Sequence, residues 1–360
     1  MNIQLVHILQ KTHKFLFAGA SLAGLFLLLS GLGAAICAAA DQPAAADLVI
    51  DNQPIDVSSK EYQDLFRELE EVHHFPRQQL KKLFTGMRID RKVLQLMDRQ
   101  AEAKPYYLYR PLYITPATIA LGKQSLTMYR TIFDRIEKEY GVDREFIVAI
   151  WGIESRFGMN QGNFEIFQTL NTFFAAYPRR SEFFRTELIN FLILCRDNDM
   201  EPKSVKGSYA GAFGQAQFMP SSFNEYGVDF DGDNKRDLIN SMPDIFASIA
   251  NYLKKFGWKL NAPVYADIGG SLKSEELTAA YNNGRKALVE WDVLARTQQI
   301  PIPLPPDQGQ LNIIGLELSP QEGGGVRFVA GYPNFQAITA YNHSGKYAMA
   351  VTEMAEAIKH

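Results

Sequence analysis

Residues 143–158, DREFIVAIWGIESRFG, read as one amphipathic helix that carries a carboxylate on its apolar face. Asp143 suits the N-cap, and Gly158 suits the stop just past the last turn. Ile147, Ile150, Trp151 and Glu154 recur at helical spacing and share that face. The stripe directs Glu154 toward a core or a cleft. Glu154 also falls in the last turn, where the helix dipole disfavours an anion. Burial and dipole both push a carboxyl pKa upward, and a carboxyl that keeps its proton near neutral pH is what a general acid requires. The stripe alone fits equally well an exposed Glu on a mis-phased helix, or a structural ion pair with Arg156 or another cation.

The rest of the 360-residue chain sets the context. That length holds one large domain or two to three small ones. Hydrophobic residues make up 46%, which suffices for a sizeable core. A formal net charge of −3 gives no case for sequence-independent nucleic-acid binding and is compatible with a neutral or mixed-charge polymer substrate. The two cysteines, Cys37 and Cys195, form no Cys/His cluster that suggests zinc. Residues 1–40 read as an export signal: Lys11 and Lys14, an apolar run from Phe15 to Ile36, then Ala38-Ala39-Ala40. The run is also long enough for an uncleaved anchor. Cys37 invites a lipoprotein reading, but Ala34-Ala35-Ile36 fits a lipobox poorly. In all three cases the body of the protein is exported.

Residues 41–57 read as a linker, and 58–140 as an α domain whose last helix runs from Leu126 to Tyr140. Within it, KPYYLYRPLYITPATIALGKQ is aromatic and basic; it suits stacking on sugar rings or packing between domains. A core over 141–261 carries the candidate chemistry. Pro178 leaves Arg179 and Arg180 at the start of a buried helix, Phe183–Cys195, where cations oppose the dipole. They suit an anionic ligand, or are simply solvated. The stretch 207–223, GSYAGAFGQAQFMPSSF, places glycines among Ser208, Tyr209, Gln215, Gln217 and Phe218. No Lys-Ser/Thr follows, so it is not a phosphate cradle. Amides, a hydroxyl and aromatic rings suit sugars, although a plain Gly-rich turn has the same composition.

The stretch 229–244, DFDGDNKRDLINSMPD, places Asp229, Asp231 and Asp233 at positions 1, 3 and 5 of an EF-hand-like loop, with the Lys235 carbonyl at position 7. Asn234 stands where Gly is usual, and Asn tolerates positive φ. Position 12 is Asn240, which leaves Asp244 as the distal carboxylate. Carboxylates this close repel one another unless a hard cation neutralises them, and calcium fits better than magnesium. An acidic surface turn is the alternative. Residues 262–331 read as a small β subdomain with short strands in PVYADIG, QLNIIGLELS and VRFVAGY, and 332–360 as a helical return to the core.

Four stretches taken in order, WGIESRFG, GSYAGAFGQAQFMPSSF, VDFDGDNKRDL followed by SIANYL, and AYNHSGKYAMAV, resemble the membrane-bound lytic murein transglycosylase B family, glycoside hydrolase family 103. The resemblance covers most of the chain after about residue 58. It implies a mainly helical α+β fold: a goose-lysozyme-like core with an N-terminal α domain and a small β subdomain. It implies non-hydrolytic cleavage of the β-1,4 bond between N-acetylmuramic acid and N-acetylglucosamine, leaving 1,6-anhydro ends. A hydrolytic muramidase on the same fold and an idle wall-binding protein are the rival readings. Glu154 matches the family's catalytic acid. Ser208, Gln217 and Phe218 match its substrate loop, Arg179 and Arg180 an arginine pair facing glycan and peptide groups, and Asn251, Tyr252, Asn342 and Tyr347 cleft residues. Asp229, Asp231, Asp233, Lys235 and Asp244 fall on its calcium loop. The resemblance further implies a structural Ca2+, no cofactor for catalysis, glycan strands and other wall enzymes as partners, a monomer, and a periplasmic location.

Overall fold

The computed structural model describes residues 44–98 and 104–359. The leader over 1–40, with Cys37, lies outside the described residues. Periodic apolar spacing builds the N-terminal helices. In α1 (Lys60–Glu71) the inward positions Tyr62, Leu65, Phe66 and Leu69 follow helical spacing, and the Ser59 hydroxyl caps the start. Then come α2 (Arg77–Phe84), α3 (Arg91–Asp98), the short α4 (Tyr106–Tyr109), α5 (Pro116–Met128) and α6 (Arg130–Tyr140). The single helix expected over 126–140 is broken at Tyr129, which leaves helical geometry and ends α5. That helix starts well upstream, where Thr115 and Thr118 form a capping box ahead of Pro116.

The segment 44–57 is no free linker. Ala45, Ala46 and Ile55 are buried. Ala46 N–H donates to Asp98, and Arg91 donates to the Ala46 carbonyl. Its Ala/Asp/Pro composition resembles a linker, but its small apolar residues fill gaps beside α3.

The centre is α7 (Arg144–Ser155), which packs against α5, α6, α11 (Met242–Lys255) and α15 (Gly345–Lys359). Residues 147–153 of α7 are all buried. The helix is therefore apolar all round rather than striped, as expected of a helix ringed by others. Helices α8 (Ile166–Ala176), α9 (Ser181–Asp197) and α10 (Pro220–Tyr226) follow; α9 packs on both α8 and α10, and α10 meets α11. Asp143 holds the N-cap position without capping. Its carboxylate instead accepts from Trp258 Nε1 at 2.8 Å and from Asn261 N–H at 3.2 Å. The helix stops before Gly158: Arg156 and Phe157, at φ 50 and 58, already carry the left-handed turn.

Two antiparallel sheets complete the fold. Strands β1 (Phe164–Glu165) and β2 (Lys206–Gly207) form a two-residue ladder. Strands β3 (Tyr265–Gly269), β4 (Leu288–Val289), β5 (Leu311–Glu317) and β6 (Val326–Gly331) lie in the order β3-β6-β5-β4. Helices α12 (Glu275–Asn282) and α13 (Trp291–Gln298) fall between β3 and β5 in the chain, and α14 (Pro333–Tyr341) follows β6. Alternation along the strands divides the side chains between two cores. Leu311, Ile313 and Ala330 join Leu277 and Leu294 in a local core; Ile314, Leu316 and Val329 join the main one. The main core runs without interruption from Ala45 to Ile358.

Candidate active site

Glu154 is half-buried at the end of α7. The Tyr347 hydroxyl, on α15, donates to its Oε1 at 2.6 Å. Burial pushes the Glu154 carboxyl up to about 7, while the Tyr347 bond pulls the other way because it favours the charged form. No ion pair with Arg156 or any other cation forms at Glu154 among the described residues. The Tyr341 ring lies near-parallel to Tyr347 at 6.5 Å, and its hydroxyl donates to the Ala216 carbonyl at 2.6 Å. Tyr109 and Tyr113 add two more phenols; the charge of Glu154 contributes to holding Tyr109 protonated, after burial and Tyr113.

Removing the Tyr347 hydroxyl takes away the contribution that lowers the Glu154 pKa. In Tyr347→Phe the alkaline limb of the activity profile moves to higher pH, and kcat falls by about tenfold through loss of one charge-assisted hydrogen bond. A pH series of initial rates on peptidoglycan checks both; an unmoved limb contradicts the coupling.

The 207–218 loop is shaped by its own backbone. Ser208 Oγ accepts from Ala212 N–H at 3.1 Å, and Ser208 is half-buried. Gln217, at φ 48, donates through Nε2 to the Gly214 and Gln161 carbonyls at 2.8 and 3.1 Å. Gln215 is turned inward: its Oε1 accepts from Trp151 Nε1 at 2.7 Å, tying the loop to α7. Gly162, at φ +89, closes on this loop so tightly that a Cβ there lies 2.0 Å from the Gly207 carbonyl oxygen. Gly162→Ala is expected to cost about 2 kcal/mol or more, from left-handed strain plus a backbone clash. A depressed melting temperature together with lost activity checks it; native values in both contradict it.

Three aromatic residues expected against the sugar are buried. Phe218 is 2% exposed, sandwiched among Tyr226, Tyr252 and Tyr341. Tyr252 is buried and donates to the Ala340 carbonyl at 2.7 Å. Tyr347 is buried and spends its hydroxyl on Glu154. These rings are packed rather than open: Phe218 and Tyr252 lie against other rings, and Tyr347 acts on the site through its hydroxyl. Rings with open area belong to the half-buried Tyr109, Tyr113, Tyr209 and Tyr341. The spacing of Tyr109 and Tyr113, which sets their rings 5.0 Å apart, was the signal in the sequence that marks them as a pair. Asn251 is half-buried and donates to the Tyr226 carbonyl; Asn342 is exposed at the end of α14. Arg179 is exposed on the 3-10 turn ahead of α9, and Arg180 lies 4.2 Å over the Phe183 ring.

The acidic loop folds as its spacing requires. Asp229 accepts from Gly232 N–H and Asn234 N–H at 2.7 and 2.8 Å, and Asn234 takes φ 70. Asp229, Asp231 and Asp244 bring carboxylate oxygens within 4.8 Å of one another. Asp233 is outside this group: its Oδ1 accepts from Lys235 N–H, and the Lys235 ammonium pairs with Asp199. Asp244 is fully buried. Its Oδ1 accepts from Phe230 and Asp231 N–H and its Oδ2 from Asp237 N–H. Three converging carboxylates, one of them buried, fit a hard divalent cation held by oxygen.

A carboxyl with a raised pKa, set on a buried helix beside phenols and amides, has what a general acid acting on a glycosidic bond requires. Comparison with known proteins narrows this. Residues 58–356 match the family model described as the transglycosylase SLT domain. The chain is 36% identical over 296 residues to membrane-bound lytic murein transglycosylase B of Escherichia coli (strain K12), covering 79% of each. It is similar to the structure of the E. coli lytic transglycosylase Slt35 in complex with calcium (33% identity, TM-score 0.73, 86% of this chain and 96% of that one). It is also similar to SltB3 from Pseudomonas aeruginosa in complex with NAG-anhNAM-pentapeptide (30% identity, TM-score 0.69, 83% of this chain and 79% of that one). The chain belongs to the SLT-domain lytic transglycosylase family, and it is an enzyme that cleaves peptidoglycan.

Proposed function

We propose that Glu154 acts alone, first as acid and then as base. In the first step the Glu154 carboxyl gives its proton to the glycosidic oxygen, and the C1–O bond of the N-acetylmuramic acid unit breaks. The N-acetyl oxygen of the same sugar closes onto C1 and takes up the positive charge, in the substrate-assisted manner known for some glycosidases. In the second step the Glu154 carboxylate takes the proton of the C6 hydroxyl as that oxygen attacks C1 and expels the acetamido oxygen. Water enters no bond, and Glu154 regains its proton. The observation that carries this reading is the raised pKa of Glu154 together with its Tyr347 bond: at about 7 it leaves a large share of the acid protonated at neutral pH, and the phenol steadies the carboxylate left after the first transfer.

Ser208 orients the N-acetyl group in this reading. Gln217, Asn251 and Asn342 hold sugar hydroxyls, and Arg179 and Arg180 meet the carboxylates of the glycan and its peptides. The NAG-anhNAM-pentapeptide held in the P. aeruginosa SltB3 complex carries an anhydro sugar, which supports an anhydro product here. Asp229, Asp231 and Asp244, with the Lys235 carbonyl, hold Ca2+ as a structural ion, in keeping with the calcium complex of Slt35. The enzyme acts outside the cytoplasmic membrane: the leader over 1–40 exports it, and the relative's name places that protein at a membrane. Among the described residues no helix is long and apolar enough to cross one. The β subdomain over 262–331 is a lobe of the catalytic core: it has a buried cluster of its own and shares Ile314, Leu316 and Val329 with the main core. Incubating the purified chain with murein sacculi tests the activity. Soluble muropeptides are the expected release, and intact sacculi overturn the reading.

A further inference from the structure

Gln215 stands within the 207–218 loop, yet it is only 8% exposed. Three hydrogen bonds fix it to two other parts of the chain. Its Oε1 accepts from Trp151 Nε1 at 2.7 Å, its Nε2 donates to the Ile239 carbonyl at 2.8 Å, and its backbone N–H donates to the Leu238 carbonyl at 2.7 Å. Leu238 and Ile239 follow Asp237, whose N–H is held by the buried Asp244. Trp151 stands about one turn before Glu154 on α7, so both ride on one buried helix. The space around the amide is closed: a Cβ at Gly158, φ +79, lies 2.5 Å from Gln215 Oε1. The next residue is anchored from the other side of the site. The Ala216 carbonyl accepts from the Tyr341 hydroxyl at 2.6 Å, and the Tyr341 ring lies 6.5 Å from that of Tyr347, which holds Glu154.

A buried amide is costly unless its polar atoms are met, and an apolar side chain here strands both the Trp151 indole N–H and the Ile239 carbonyl. The position calls for an acceptor and a donor on one uncharged side chain, which a primary amide supplies. The elements it joins are the helix that carries the acid and the loop that carries Ser208 and Gln217. We propose that Gln215 is a positioning residue for the cleavage: it sets the 207–218 loop at a fixed distance and angle from Glu154, so that a sugar held by the loop meets the acid in reacting geometry. This rests on the assignment of that loop as a substrate contact. A misplacement of about 1 Å at such a junction costs on the order of a hundredfold in rate.

The test is a cycle of Gln215→Met, Trp151→Phe and the two combined, in the full chain, assayed on glycan strands well below every melting temperature. Met has the length of Gln without its polar atoms, and Phe lacks the indole N–H. Gln215→Met lowers kcat by about tenfold or more while KM stays within about threefold, because the sugar contacts ride with the loop and only their placement against Glu154 changes. Trp151→Phe also lowers kcat, and the combined variant stays within about threefold of the lower single one, since both remove the same bond. In protein labelled with nitrogen-15 at the indoles, the Trp151 N–H signal moves in Gln215→Met. A kcat for Gln215→Met within about twofold of the parent, at any melting temperature, overturns the proposal. So do single losses that multiply in the combined variant. Failure of the unaltered chain to cleave the strands strikes the reading of the site itself, whereas an unmoved indole signal in a chain that cleaves strikes the role of Gln215 alone.

Discussion

Glu154→Gln is expected to lower kcat on peptidoglycan by about 10³- to 10⁴-fold while binding of glycan strands persists, since the residue serves both proton transfers. Gln has the shape of the protonated acid but gives no proton, and it still accepts the Tyr347 hydrogen bond. The same change has a second signature, with a sign fixed by linkage. The folded-state pKa of Glu154 is raised to about 7, above its ordinary value of 4.5. The stability contributed by its neutral form is complete below that ordinary value and is lost as pH rises through about 7. Glu154→Gln therefore melts with the parent at acidic pH and above it at alkaline pH. Activity follows the same proton, so the parent rate declines as pH rises past about 7. Retained cleavage in the variant, or a melting difference that grows toward low pH, contradicts the assignment.

Asp244→Ala is expected to be the most destabilising single change in the core. It strands three backbone N–H groups, those of Phe230, Asp231 and Asp237, that now share one buried carboxylate. At about 1 kcal/mol or more for each, the loss is about 3 kcal/mol, or roughly 5 °C in melting temperature for a chain of this size. The loop also carries the cation response. Calcium at about a hundredfold over its dissociation constant adds about 2.7 kcal/mol to the parent. Asp231→Asn separates the two contributions. Its side chain still accepts from Ser241 Oγ, and it removes a charge from a crowded trio. Without calcium it melts at or above the parent; with calcium it gains less. Calorimetry with and without the ion reads both numbers. A parent melting temperature indifferent to calcium contradicts the cation assignment and leaves the hydrogen-bond argument for Asp244 intact.

The acid and the loops were legible in the sequence because each depends on local spacing. Glu154 near the end of an apolar helix, Asp229 and Asn234 in a turn that needs a left-handed residue, and the alternating strands of the β subdomain all follow from neighbours in the chain. What was not legible depends on contacts between distant residues. The partner of Glu154 is a phenol 193 positions away, and nothing in either segment specifies that pairing. Phe218, Tyr252 and Tyr347 illustrate a further limit. An aromatic ring has the same sequence signature whether it lies under a sugar or under another ring, and only packing decides. The linker reading failed for a related reason: Ala45, Ala46 and Ile55 are too few to form a periodic pattern, yet each fills a gap that other segments create. Glu187 carried no local signal, since the residue that donates to both its oxygens, Ser221, lies 34 positions downstream.

The central claim is that one carboxyl does the work of two and that water takes no part in the cleavage. Digesting murein sacculi in water enriched in heavy oxygen, followed by mass spectrometry of the released muropeptides, tests it most directly. The mechanism predicts 1,6-anhydro ends, lighter by one water than reducing ends and free of the label. Reducing ends that carry heavy oxygen at C1 would contradict it and make the enzyme a hydrolase.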